Sequence, residues 1–81
     1  MNIYIGNLNY RIQESDLKQV MEEYGEVSSI KLIKDRETGR SKGFAFVEMP
    51  NNEEALKAIS ELNQAEFDGR QMVVKEALPR Q

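Results

Sequence analysis

The stretch KGFAFVEM, Lys42–Met49, decides how this sequence folds. Read as a strand, it sends alternate side chains to opposite faces. Lys42, Phe44, Phe46 and Glu48 share one face, and Gly43, Ala45, Val47 and Met49 share the other. The second face is small and aliphatic, which suits burial. The first joins a cation to two large rings. Only one of the two can be the core, and the flanking segments decide which.

Immediately upstream, VSSIKLIK (Val27–Lys34) reads as a second strand with Ile30 and Leu32 inward and Lys31 and Ile33 outward. DRETGRS joins the two strands as a polar loop in which Gly39 can take a positive φ. Near the start, NIYIGNL alternates as well, with Ile3 and Ile5 on one side, Tyr4 on the other, and Gly6 and Asn7 ending the strand. Between these strands, Leu17, Val20, Met21 and Tyr24 recur at helical spacing, predicting a helix over about Glu14–Tyr24 that Gly25 closes. Its N-cap is open between Ser15, the better capping type, and Gln13, where the helix more naturally begins. Downstream, Asn51 caps a second helix with Glu54 placed for a capping box, and Ala55, Ala58, Ile59 and Leu62 form its inner stripe. FDGR signals a tight hairpin. QMVVKEA is then a last strand with Met72 and Val74 inward.

The order is therefore βαββαβ. Two helices cover only one face of a four-stranded sheet, which leaves the other face open. Ile3, Ile5, Ile30, Leu32, Ala45, Val47, Met49, Met72 and Val74 supply the covered face. Tyr4, Phe44 and Phe46 are left on the open one, with Lys31, Ile33, Val73 and Lys75 beside them. The 81 residues read as one domain, with a core over about 1–77 and LPRQ as a tail.

Composition narrows the chemistry. Apolar residues make up 40% and charged residues 31%, as in an ordinary soluble domain. Cysteine is absent, so disulfides and thiolate metal sites are excluded, which fits a reducing, cytoplasmic setting. Histidine is absent too, and with it the commonest general base and zinc ligand. No apolar run approaches the roughly 18 residues of a membrane span, and the strand-like start leaves no room for a signal peptide.

KGFAFVEM resembles the octamer of the RNA recognition motif: basic residue, Gly, aromatic, Gly or Ala, Phe, aliphatic, any residue, aromatic. IYIGNL resembles the hexamer of the same family. Both lie about 40 residues apart on strands where the family has them. The whole-chain layout is similar to its small stand-alone bacterial members. The resemblance implies an α+β, ferredoxin-like fold: a four-stranded antiparallel sheet with its first and third strands central and both helices on one face. It also implies a monomeric binder of single-stranded RNA, with single-stranded DNA as a variant ligand and no metal or cofactor. Unpaired bases stack on aromatic side chains at roughly 1–3 kcal/mol per base. By resemblance Tyr4 and Phe44 stack bases, Phe46 meets a base edge or sugar, and Lys42 meets phosphate. From their places on the open face Lys31, Ile33 and Lys75 are expected to border the bases, while Arg40 reads either as a phosphate contact from the loop or as a solvated loop residue. The sequence departs from the family at Met49, where the octamer usually ends in an aromatic, and at Gln64, where a glycine is frequent. Met49 points inward, where methionine is an adaptable filler. Gln64 bears only on a local turn.

The net charge of −3 has the wrong sign for a strong nucleic-acid binder. Val27–Lys42, however, holds five basic and two acidic residues, whereas Glu14–Glu26 holds five acidic and one basic. Base therefore gathers on the sheet and its loop, and acid on the helix side. Two other readings compete. The rings could form a protein-binding patch, but Lys42 and the loop cations would then be surplus. A small acylphosphatase shares the βαββαβ order. GNLNYRIQ lacks its phosphate-cradling glycines, though, and no nucleophile–base pair can be assembled without His or Cys.

Overall fold

In the computed structural model, which describes residues 1–77, β3 (Ser41–Glu48) keeps the alternation that its sequence dictates. Gly43, Ala45, Val47 and Met49 are buried, Phe44 and Phe46 are half-buried, and Lys42 and Glu48 are exposed. The remaining elements are β1 (Asn2–Gly6), α1 (Glu14–Glu22), β2 (Ser29–Lys34), α2 (Asn52–Leu62), a two-residue pair β4 (Glu66–Phe67) and β5 (Arg70–Gln71), and β6 (Val73–Ala77). The four long strands form one antiparallel sheet in the order β2-β3-β1-β6, with β3 and β1 central.

One face of that sheet carries the core. Ile3, Ile5, Leu32, Ala45, Val47 and Val74 pack in a single cluster with Leu17 and Met21 of α1 and Ala55, Ala58 and Leu62 of α2. Both helices therefore lie on this face, and the aliphatic side of KGFAFVEM is the core side. Leu8 and Ile12 also join the cluster from the loop between β1 and α1. They lie outside the regular periods, so neither strand alternation nor helical spacing could assign them a face.

Several boundaries differ from the sequence reading. β2 starts at Ser29 rather than Val27. α1 ends at Glu22, two residues short of Tyr24. Gly25 is not in the left-handed region that a glycine C-cap uses. Its missing Cβ instead leaves room for the Glu54 side chain. Glu54 therefore does not complete a capping box: its backbone N–H donates to Asn51 Oδ1 at 3.0 Å, while its own side chain lies against Gly25. The N-cap of α1 is Gln13, whose backbone N–H donates to the Asp16 carboxylate at 3.0 Å. QMVVKEA does not form one strand either. Arg70 and Gln71 pair back to Phe67 and Glu66, and β6 begins only at Val73. The cause is Asp68-Gly69, both at positive φ (52° and 84°), which turns the chain into a tight hairpin of its own. Residues 78–81, the expected tail, lie outside the described residues.

Gln64 also has positive φ, 68°, at the turn where its N–H donates to Met72 O at 2.7 Å. A Cβ in the left-handed region costs about 1–2 kcal/mol, while glycine loses about 0.5–1 kcal/mol of chain entropy. Gln64→Gly is therefore expected to raise stability by up to about 1 kcal/mol, read from urea unfolding; a loss of stability would contradict the strain.

Candidate nucleic-acid interface

Strand register builds the open face row by row. Lys31 stands opposite Phe46, Phe46 opposite Tyr4, and Tyr4 opposite Lys75. One row across all four strands thus reads cation, ring, ring, cation. Gly6 opposes Val73 in the next row, where the same register brings Phe44 beside Gly6. Asn2, Glu48, Ser29 and Ala77 make the row on the other side.

The three rings form a continuous patch. Tyr4 and Phe44 have centroids 6.0 Å apart and planes inclined by only 31°. Phe46 meets both edge-on, at 5.8 Å and 61° from Tyr4 and at 6.1 Å and 86° from Phe44. Such tilted contacts are favourable between aromatic quadrupoles. They hold the rings in place, each partly exposed on a face that no helix covers.

Gly6 sets the pose of Tyr4. Both point to the open face, and a Cβ on Gly6 would stand 2.5 Å from the Tyr4 hydroxyl oxygen and 2.7 Å from its ring. The tyrosine therefore lies down over the glycine and turns a face outward. The signal was present in the sequence, since Tyr4 and Gly6 are two apart on one strand, yet Gly6 reads there only as a strand ending.

Gly43 is the second backbone device. Between the pairs Leu32↔Ala45 and Lys34↔Ser41 the ladder shifts, so that β3 carries extra residues against Ile33. Gly43 sits in this bulge at φ 86°, and its carbonyl accepts the Leu8 N–H at 2.9 Å. A Cβ there would also stand 3.1 Å from Leu8 O. Positive φ and close approach together favour glycine at this position.

A shallow concavity of ≈ 700 Å³ runs over the central row, lined among others by Tyr4, Phe46, Lys31, Ile33, Lys75 and Glu48. Lys75 Nζ lies 5.3 Å from the Tyr4 ring centroid, a cation–π contact. Five of the eight sequence-derived site residues thus line one hollow, and Phe44 adjoins it. Lys42 is exposed, just before the bulge. Arg40 is not brought to this hollow. It lines a separate groove with Tyr10, Lys34 and Gly39, at the N-terminal end of α1.

Beyond the sheet, the β1–α1 loop is clasped to the β4–β5 hairpin. Arg11 donates to both carboxylate oxygens of Asp68, from Nε at 2.6 Å and Nη2 at 2.7 Å. These hydrogen bonds hold the Asp68 carboxyl below its ordinary range and raise the Arg11 guanidinium above its own. Asn9 Nδ2 donates to Asp68 O at 3.2 Å, and Asn7 Nδ2 to Gln71 O at 2.7 Å. Asn7 thus ties the end of β1 to the hairpin, in line with a structural part for this residue.

Among the described residues, no group of three or more acidic residues could hold a metal ion, and no helix is long and apolar enough to cross a membrane.

The family model described as RNA recognition motif matches residues 3–73. A putative RNA-binding protein, RbpD, from Nostoc sp. is 54% identical over 81 residues, covering 100% of this chain and 86% of that protein. The crystal structure of an RNA-binding protein PG1 superposes with a TM-score of 0.96 at 57% identity, over 100% of this chain and 98% of the other. The structure of the Rna15 domain with bound GU RNA superposes with a TM-score of 0.85 at 29% identity, over 94% and 81%.

Proposed function

The chain belongs to the RNA recognition motif family, and we propose from that premise that it binds a short single-stranded RNA on the open face of its sheet. The observation that carries this reading is the row Lys31–Phe46–Tyr4–Lys75, two rings between two cations on a face that neither helix covers. Base π-faces stack on the rings, and the lysines meet phosphates on either side. RNA-bound Rna15, whose fold this chain shares, supports the assignment.

Bound RNA must displace Lys75 from Tyr4. The exposed cation–π contact is worth about 0.5–1 kcal/mol, whereas a stacked base is worth about 1–3 kcal/mol. The base wins, and the released ammonium is left beside the backbone it attracts. Lys75 thus holds the Tyr4 face in the free protein without blocking it.

Tyr4 and Phe44, with planes 31° apart, are the least steeply inclined pair of the three rings. Phe46 is edge-on to both, yet it stands directly opposite Tyr4 and shares its row with the lysines. We therefore assign Phe46 a base contact of comparable weight to that of Phe44. Lys42 supplies a further phosphate contact before the bulge. The family is not one of enzymes, and the open face needs no chemistry beyond stacking and charge.

The net charge of −3 limits long-range attraction, so contact is local. With about three or four phosphates neutralised, log K should fall against log salt with a slope of about −2 to −3 for a single strand. Titrating labelled single-stranded RNA, single-stranded DNA and duplex RNA over a salt series tests this. Single-stranded RNA should bind most tightly with that slope. A slope near zero, or preference for duplex, would contradict the reading.

A further inference from the structure

The loop between β1 and α1 displays an aromatic side chain that the core does not need. Tyr10 is 61% exposed, more than any other large hydrophobic side chain among the described residues. Yet its surroundings are closely built. One edge of the ring rests on Gly43, where an added Cβ would lie 3.3 Å from Cε1. The Arg70 guanidinium stands 5.3 Å from the ring centroid. The clasp of Arg11 and Asn9 onto Asp68 fixes the loop on both sides of the tyrosine.

We propose that Tyr10 and Arg70 form an additional nucleotide subsite, which takes an unpaired base just past the end of the sheet where Phe44 stands. The proposal rests on the open-face reading and extends its RNA track. Three observations support it. Gly43 carries Tyr10 on its backbone and is the neighbour of Phe44 in sequence, so the Tyr10 ring sits at the end of the sheet where Phe44 stands. Tyr10 and Arg40, with Lys34, line one groove of ≈ 810 Å³, which supplies phosphate-seeking cations to a base held there. The charged residues lining the groove are Arg11, Lys34 and Arg40 against Glu14, and Arg11 is already paired with Asp68. The local charge that remains is cationic, which favours a polyanion over an apolar peptide. Arg70 backs or flanks the stacked ring, as guanidinium planes do beside bases.

The test compares labelled single-stranded RNAs of about four and about eight nucleotides, both of randomised sequence, because the sheet of such a domain stacks only two or three bases. Wild-type protein should gain affinity with length. Tyr10→Ala should lose about tenfold on the longer RNA, the loss of one stacked base, and leave the shorter unchanged, while Tyr10→Phe should keep both. Arg70→Gln, a surface change that leaves Tyr10 on Gly43, should lose severalfold on the longer RNA alone and serves even if Tyr10→Ala unfolds. Tyr4→Ala should weaken both lengths. Equal losses on the two lengths, or none on either, for Tyr10→Ala and Arg70→Gln would overturn the subsite and leave the open-face reading standing. A Tyr4→Ala variant that binds both lengths like wild type would overturn that reading, and the subsite with it.

Discussion

Met49→Ala should cost about 2–5 kcal/mol of folding free energy through the lost transfer energy and the cavity left behind. Met49 is fully buried on the helix side of β3. Its backbone is fixed independently of its side chain: its N–H donates to Met1 O at 3.0 Å, and its carbonyl accepts the N-terminal ammonium at 2.7 Å. Truncation therefore removes packing and leaves the strand end in place. For a small domain whose total stability is about 5–15 kcal/mol, this is a large fraction. Chemical unfolding monitored by circular dichroism measures it. The fraction that remains folded should bind RNA as wild type does, because nothing on the open face has changed. A loss well under 1 kcal/mol would mean that the site collapses around the smaller residue.

The same residue shows why much of this fold was legible in its sequence. Strand alternation is a rule of the backbone, so one aliphatic set, Ala45, Val47 and Met49, fixes the face of every other residue in β3. Once two helices were counted against four strands, the open face followed, and Tyr4, Phe44, Phe46, Lys31, Ile33 and Lys75 lie on or beside it. Where the backbone leaves its regular periods, legibility ends. Leu8 and Ile12 are core residues in a loop, and no period assigns them a face. Gly25 and Gly43 look alike in a sequence, yet one admits a Glu54 side chain and the other adopts positive φ in a bulge. Arg40 lies in the loop between β2 and β3, where sequence gives no direction, and the structure turns it to the groove beside Tyr10. The hairpin of β4 and β5 was visible as FDGR. Its consequence, a clasp on Arg11 some 57 residues away, is a tertiary fact that only coordinates reveal.

Truncating the rings is the second large effect, and it falls on binding. Tyr4→Ala removes the ring that lies over Gly6, meets both phenylalanines and carries Lys75. It should cost about 1–3 kcal/mol of RNA affinity, one stacked base. Phe44→Ala and Phe46→Ala should each fall in the same range. The double change Phe44→Ala/Phe46→Ala should lose less than the sum of the two, because contacting rings support one another. None of these positions is part of the buried cluster. Each should therefore destabilise the fold by well under the roughly 3–5 kcal/mol of a buried phenylalanine, with the lost ring-ring contacts worth about 0.5–1.5 kcal/mol apiece.

The central claim is that the two faces of β3 have separate tasks, packing on one and RNA on the other. The most direct measurement pairs urea unfolding with fluorescence titration of short single-stranded RNA for Phe46→Ala and Val47→Ala, neighbours in sequence on opposite faces. Phe46→Ala should lose affinity by about 1–3 kcal/mol and keep most of its stability. Val47→Ala should lose stability and, in its folded fraction, bind RNA like wild type. If Phe46→Ala instead unfolds like a core variant, or if it binds RNA unchanged, the account is contradicted.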